Sequence, residues 1–502
     1  MRKQLFTIGL VLLIISLLFN YFLKTGFVFS VVMVILIIVG FFNTIQEKHA
    51  ILRNFPVLGY FRYAFEKIAP EIQQYFIERT TDGKPFSRNQ RSLVYQRAKN
   101  IDATSPFGTQ LLLNQASYEG IKHAMFPTVV NHELPRVVVG GPACTQPYSA
   151  SLLNISAMSF GSLSENAIVA LNKGAQKGNF YHNTGEGGLT EFHQNGGDIT
   201  WQIGTGYFGC RNSEGKFDPE KFAEKANLPA VKMIEIKLSQ GAKPGHGGVL
   251  PAQKNTPQIA KIRGVEPNIT ILSPPSHSAF SDYKGLVEFI AHLRQLSNGK
   301  PIGFKLCVGD TSDFENLCNE MIHQNCYPDF ITVDGAEGGT GAAPLEFADG
   351  VGMPFEPALI FVNKTLVRLG IRDKIRVISS GKIISGYSIL RAIALGADMC
   401  NSARGFMFSL GCIQALRCNN NECPTGVATQ NKMLMKGLVV TDKSERVFYF
   451  HKNTLHAANE LLAAAGKNSY SEVDINIFMR GDEFSNLANQ YFPDNLTNVV
   501  GY

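Results

Sequence analysis

No cysteine precedes Cys144, and the nine cysteines of this 502-residue chain make an odd number. Six of them, Cys144, Cys210, Cys307, Cys318, Cys326 and Cys400, stand singly, mostly inside apolar runs, where a thiol behaves as a small buried hydrophobe. This pattern speaks against a secreted disulfide scaffold and fits a reducing compartment. No repeat and no low-complexity tract is visible, and charged residues make up only 18% of the chain. No GxGxxG fingerprint follows the first expected strand, which counts against a doubly wound dinucleotide fold. The net charge of +6 is uneven, with +7 over residues 1–102 and −1 over the rest. A nucleic-acid binder needs a basic face on its folded domain, so nucleic acid is not an expected partner and an anionic membrane surface is.

What the chain does have begins with two apolar runs, Leu5 to Leu23 and Gly26 to Phe42, separated by Lys24 and Thr25. Each is about long enough to span a bilayer. A signal peptide would have a shorter apolar stretch and a small-residue cleavage site. Residues 1–46 therefore read as a two-helix transmembrane hairpin. Arg2 and Lys3 precede it and Lys48 and Arg53 follow it, which places both ends in the cytoplasm. The expectation is a multi-pass protein of the bacterial inner (cytoplasmic) membrane with its catalytic part on the cytoplasmic side. Residues 47–140 read as a juxtamembrane helical linker, in which Arg62, Arg79, Arg88, Arg91 and Arg97 are placed to meet anionic head groups.

From residue 141 to 440 the pattern becomes short β-rich runs followed by helical stretches, the signature of an α/β fold built as a (β/α)8 TIM barrel. Nine runs compete for eight places: Leu152–Ser159, Asn179–Thr184, Ile199–Gly204, Val231–Leu238, Ile269–Leu272, Ile302–Val308, Phe330–Asp334, Arg376–Ser380 and Asp398–Ser402. Ile269–Leu272 is the expected outsider, because Ser273-Pro274-Pro275 follows where a helix should begin. In such barrels chemistry sits at the C-terminal strand ends, and a phosphate binds between the last two βα loops. Those loops contain Ser380-Gly381 and Ala403-Arg404, and an earlier one runs through Gly339-Thr340-Gly341. Residues 441–502 read as a C-terminal helical extension, including Val447 to Ala465.

Cys412, Cys418 and Cys423 fall within twelve residues. A zinc site usually wants four ligands in paired short spacings, and no histidine lies in this segment. Three thiolates with proline after the last look more like iron–sulfur ligation. A three-iron cluster needs no remote ligand and is favoured over a four-iron cluster, which does.

These residues resemble the FMN-binding synthase domain of glutamate synthases. The likeness rests on Ser156-Ala157-Met158-Ser159-Phe160-Gly161-Ser162, Asn183-Thr184-Gly185-Glu186-Gly187-Gly188, Ile236-Lys237-Leu238-Ser239-Gln240-Gly241-Ala242-Lys243-Pro244-Gly245, Gly338-Gly339-Thr340-Gly341-Ala342-Ala343-Pro344, and the C-x5-C-x4-C spacing of Cys412 to Cys423. The resemblance implies FMN and a 3Fe–4S cluster as cofactors, with the three cysteines as its ligands. It implies that Gln240, Lys243 and Arg263 bind the carboxylates of 2-oxoglutarate or its imine, that Glu186 and Lys243 are catalytic, and that Lys237 and Lys305 lie near the isoalloxazine. Ser156 to Ser159, the Gly339 loop, Ser380-Gly381 and Ala403-Arg404 are the implied remainder of the flavin site. The implied reaction acts on a CH–NH2 donor, a 2-oxo acid and amino acid pair, with free ammonia or an amine.

Two departures stand out. Pro244-Gly245-His246-Gly247-Gly248 has histidine where the family's loop usually has glutamate, which puts an imidazole near the substrate. No glutamine-hydrolysing domain is expected ahead of the barrel and no Rossmann module is found, so electrons are expected from a ferredoxin-like protein or the quinone pool. Two competitors remain: nucleotide oxidation on a similar barrel, and a membrane-docked electron-transfer protein without small-molecule turnover.

Overall fold

The computed structural model describes residues 2–23, 27–101, 104–105, 107–113, 117–480 and 490. Lys24 and Thr25, read as the turn between the apolar runs, and nearly all of the chain after residue 480 lie outside them. Two compact units divide the chain, Met1–Pro85 and Phe86–Tyr502.

In the first unit, helices Arg2–Leu23 and Phe27–Ile45 pack together through a 2.6 Å hydrogen bond between the Ser16 and Ser30 hydroxyls. Among the described residues Phe27–Ile45 is the one helix long and apolar enough, by length and composition, to cross a membrane. The apolar part of its neighbour is shorter, Leu10–Phe22. Helix Gly59–Ile72 follows, and a π-helical turn at Gln73–Ile77 continues it.

In the second unit eight parallel strands close into a barrel: β1 Leu153–Ile155, β2 His182–Asn183, β3 Ile199–Ile203, β4 Val231–Lys237, β5 Ile302–Cys307, β6 Phe330–Asp334, β7 Arg376–Ser380 and β8 Met399–Ser402. The run Ile269–Leu272 lies outside it, as expected. Ile271–Leu272 pairs antiparallel with Val249–Leu250 as a separate two-stranded piece. Two barrel strands, β1 and β2, are shorter than their sequence runs by more than one residue, for local reasons. Asn179 caps helix Glu165–Gly178 in the left-handed region (φ 53°), so the chain cannot be extended there and β2 starts later. After β1, Ser156 still donates its N–H to Ser402 O, but Ser159 to Leu163 then close a tight turn through Gly161 (φ 102°).

Helices surround the barrel, most with side-chain caps. Ser164 accepts from the Ala167 N–H at the start of Glu165–Gly178, Asp282 caps Tyr283–Leu296, and Ser385 caps Gly386–Ala394, which satisfies otherwise unpaired N–H groups. The long helix Val440–Ala464 lies against Glu165–Gly178. That approach requires Gly174, where a Cβ would stand 2.4 Å from Val447 Cγ1. Beyond the long helix, Phe478–Arg480 pairs antiparallel with Glu119–Ile121, and Arg136–Val139 pairs with Tyr148–Ser151.

Candidate functional site

At the C-terminal strand ends one carboxylate collects four cations. Lys237, the last residue of β4, places its Nζ 2.8 Å from Glu186 Oε2 on the loop after β2. Lys243 and Arg263 are buried beside this pair, at 3% and 5% exposure. Burial pushes the Glu186 carboxyl up, but Lys237 with its hydrogen bond, then Lys243 and Arg263, outweigh it and hold the group below the ordinary carboxylate range. Lys305 on β5 is pushed down by burial, yet Asp334, Glu235 and Glu186 hold it above the usual lysine range. Burial lowers Lys243, and it lowers Arg263 to about 10. The Glu186 side chain keeps 20% of its surface exposed, against 8% for Lys237.

Glycines allow the loops to close on this centre. A Cβ at Gly248 would stand 2.8 Å from Glu186 Oε1, and one at Gly187 3.1 Å from Arg263 Nη2. Arg263 ends helix Pro257–Arg263, donates to the Phe160 carbonyl (3.0 Å) and lies over the Phe208 ring. Its buried Nε has no hydrogen-bond partner. Gln240 is half-buried at the base of the same loop as Lys243. His246 is half-buried on that loop, its Nδ1 2.8 Å from the Gly247 carbonyl and its ring edge-on to Phe347.

The remaining expected site residues group around the last two strands and the loop after β6. Ser156 and Ser380 hydroxyls are 3.3 Å apart. Met158 and Ser159 back against Gly185, where a Cβ would meet the Ser159 nitrogen at 2.7 Å. Ala157 is half-buried between Ser156 and Met158. Gly339, Thr340 and Gly341 are exposed. A Cβ at Gly339 would meet Arg404 Cδ at 3.1 Å, and one at Gly381 would meet the Phe355 ring at 2.3 Å. Ala403 precedes the short helix Arg404–Ser409, and Arg404 donates to the Glu337 carbonyl and lies over Phe86.

Several participants are absent from the sequence reading. Asp334 Oδ2 accepts from both Lys305 Nζ (3.1 Å) and the Gly241 N–H (3.1 Å), so one oxygen ties β5 to the loop carrying Lys243. Its position in the Asp334-Gly335 strand end was the available signal. Glu235 in the barrel interior accepts from Asn183, Gln202 and Thr332 at 2.6–2.8 Å. His277 is lowered by burial to about 4 and is therefore neutral. It donates from Nε2 to the Lys237 carbonyl (2.9 Å) and accepts at Nδ1 from the Tyr207 hydroxyl (3.0 Å). Phe86 comes from far upstream and carries no motif.

The three clustered cysteines lie within electrostatic reach of one another. Burial pushes the Cys412 thiol up to about 12 and raises Cys418. Burial also pushes Cys423 up, but hydrogen bonds from the Thr425 hydroxyl and the Ala428, Thr425 and Val427 N–H groups bring it below the ordinary thiol range. Gln414 N–H points at Cys412 Sγ (3.5 Å). Among the described residues no group of three or more His, Cys, Asp or Glu is placed to hold a metal ion. The loop after β6 reaches this segment, since a Cβ at Gly341 would be 3.7 Å from Cys418. A cavity of about 580 Å³ opens at the opposite barrel end. There Lys300 already donates to the Ala226, Leu228 and Val231 carbonyls.

Fold and site together define a parallel (β/α)8 barrel with buried cations gathered around Glu186 at the C-terminal strand ends. The chain belongs to the glutamate synthase family, an oxidoreductase family: the conserved region in glutamate synthase matches residues 141–468. It is 39% identical over 466 residues to the glutamate synthase large subunit-like protein YerD of Bacillus subtilis, covering 84% of this chain and 88% of that protein. It is 34% identical over 317 residues to the archaeal glutamate synthase (NADPH) of Methanocaldococcus jannaschii, covering 63% of this chain and 59% of that one. Against that archaeal relative the match spans less than two thirds of its length. Among solved structures, a flavocytochrome b2 mutant with pyruvate bound overlaps at a TM-score of 0.44 and 13% identity, covering 88% of each chain.

Proposed function

We propose that the chain is a membrane-anchored FMN and iron–sulfur oxidoreductase that interconverts a 2-oxo acid and its amino acid, 2-oxoglutarate and glutamate or a close relative, using free ammonia or an amine. The observation that carries this reading is the convergence of Lys237, Lys243, Lys305 and Arg263 on Glu186. Lys237 is paired with Glu186 and Lys305 with Asp334, which leaves Lys243 and Arg263 as the two cations suited to a dicarboxylate, and the unpaired Arg263 Nε is a donor in want of an acceptor.

The residues present fit FMN. Gly339 leaves room for the Arg404 side chain, whose Cδ a Cβ there would meet at 3.1 Å, and Arg404, at the end of the last strand near Ser380, is the cation proposed for the flavin phosphate. When bound, the flavin supplies electron-pair transfer to and from substrate carbon. Lys237 and Lys305 hold negative charge where it develops. Lys243 and Arg263 orient the substrate carboxylates, and Gln240 adds a neutral donor. Glu186, held ionised, accepts a proton from the amine nitrogen or, once protonated, returns it.

The cysteine segment suits a 3Fe–4S cluster in its donor set. Cys412 and Cys423 already receive N–H···S hydrogen bonds, which stabilise ligating thiolates. A Cβ at Gly341 would stand 3.7 Å from Cys418, which supports a cluster next to the loop proposed for the flavin. A ferredoxin-like protein or a quinone is the proposed redox partner. Helix Phe27–Ile45, with a mean hydropathy of 2.7, and its neighbour are proposed to cross the inner membrane with the barrel on the cytoplasmic side.

The test is anaerobic purification in detergent, flavin reduction, and reoxidation by a panel of 2-oxo acids with ammonia or amines. Flavin, iron and acid-labile sulfide should co-purify, and dicarboxylic 2-oxo acids should reoxidise the flavin fastest. Colourless protein without flavin or iron refutes the reading.

A further inference from the structure

We infer that residues 122–129, together with Lys467, form a docking surface for an anionic phospholipid bilayer. This rests on the proposed membrane anchoring of the chain and adds a second, separate contact made by the catalytic unit. Met125, Phe126 and Val129 are 85%, 84% and 93% exposed. Single exposed apolar residues are ordinary, but three within five positions form a patch that needs a partner.

The segment is held, not loose. Lys122 N–H donates to Ile477 O (2.7 Å), Ala124 N–H to Ala464 O (2.8 Å), Thr128 N–H to Ala463 O (3.1 Å), and the Thr128 hydroxyl to Lys467 O (2.9 Å). These bonds fix the backbone on both sides of Met125 and Phe126 and present the apolar tip outward. From Ala124 to Asn131 the sequence has no charged residue.

A cavity of about 230 Å³ opens beside the tip, lined by Lys122, His123, Lys467 and Asp474 among others. Neither ammonium forms an ion pair among the described residues. Asp474 is occupied in capping the turn Ile475–Ile477, accepting from Asn476. Two free ammonium groups against one engaged carboxylate favour a phosphate head group, and the apolar tip beside them suits the acyl boundary. Side chains of this kind, apolar with flanking lysines, bind anionic interfaces.

The chain's single tryptophan, Trp201, is 0% exposed in the barrel wall, so Phe126→Trp gives a local reporter. The full chain with this substitution is reconstituted into vesicles of phosphatidylcholine with phosphatidylglycerol, with or without brominated acyl chains. Brominated lipid should reduce the introduced tryptophan's emission by about half. Lys122→Gln with Lys467→Gln, or vesicles of phosphatidylcholine alone, should lose most of that quenching. Co-flotation with vesicles but no quenching overturns the docking surface and leaves the anchor intact. Absence of co-flotation overturns both. A blue shift that depends on protein concentration without lipid quenching assigns the patch to a second copy and also overturns the proposal.

Discussion

Glu186 shows what a single residue's surroundings decide. It is ionisable anywhere, but here its folded-state titration lies below the ordinary value because Lys237 is 2.8 Å away and Lys243 and Arg263 add to it. A depressed carboxyl contributes stability that is present above its unfolded value of about 4.5 and is lost as pH falls through the folded one. Lys237→Met should therefore destabilise the protein by about 2–3 kcal/mol at pH 7.5, at the low end for a broken pair because the carboxylate is partly open to water. In urea unfolding the difference from wild type should shrink below about pH 4. A constant difference across pH would mean that lost packing, not charge, is responsible. The sequence marked both members of this pair through the family motif. It did not mark His277 or Tyr207, because their relation to Lys237 exists only where distant loops meet.

At the scale of elements, the loop after β4 is registered on the loop after β6. Asp334 Oδ2 holds Lys305 and the Gly241 N–H together, Ala242 N–H donates to Ala336 O (3.0 Å), and a Cβ at Gly241 would lie only 1.8 Å from Gly335 O. Gly241→Ala must push the two loops apart. The barrel should keep its far-ultraviolet circular dichroism, while affinity for a dicarboxylate, measured by calorimetry, falls by about tenfold or more as Lys243 moves. Asp334→Asn leaves Lys305 buried without its nearest countercharge and should cost about 3 kcal/mol in denaturant unfolding. Retained stability in that variant would assign the role to Glu235. Among the strands, the helix-capping left-handed Asn179 explains why β2 is two residues long, a boundary that alternation of apolar residues cannot show.

Across the whole molecule, four histidines are buried in neutral form. Burial takes His182 well below the ordinary imidazole value, His193 and His451 to about 3 and His277 to about 4. Each is lowered relative to the unfolded chain, so the unfolded state binds more protons between about pH 4 and 6.5, and stability falls as pH drops through that window. Urea midpoints should fall steadily from pH 6.5 to 4.5. His451→Gln, at a site where the ring stacks on Phe180 and meets the Ser151 hydroxyl (2.9 Å), should remove about a quarter of that slope. An unchanged slope would rule out His451 as a contributor.

The sequence alone determined the class of architecture and the motif residues at the strand ends, and it pointed to Ile269–Leu272 as the outsider, which only the closed barrel decided. Alternation, breakers and glycine spacing are local properties, and local sterics read them out one segment at a time. Only the folded chain decided which of those residues share a charge field: Lys305 with Asp334, Arg263 with Glu186, Phe86 beneath Arg404. Electrostatic and packing energies depend on distances between residues far apart in the chain, and those distances exist only after the barrel has closed.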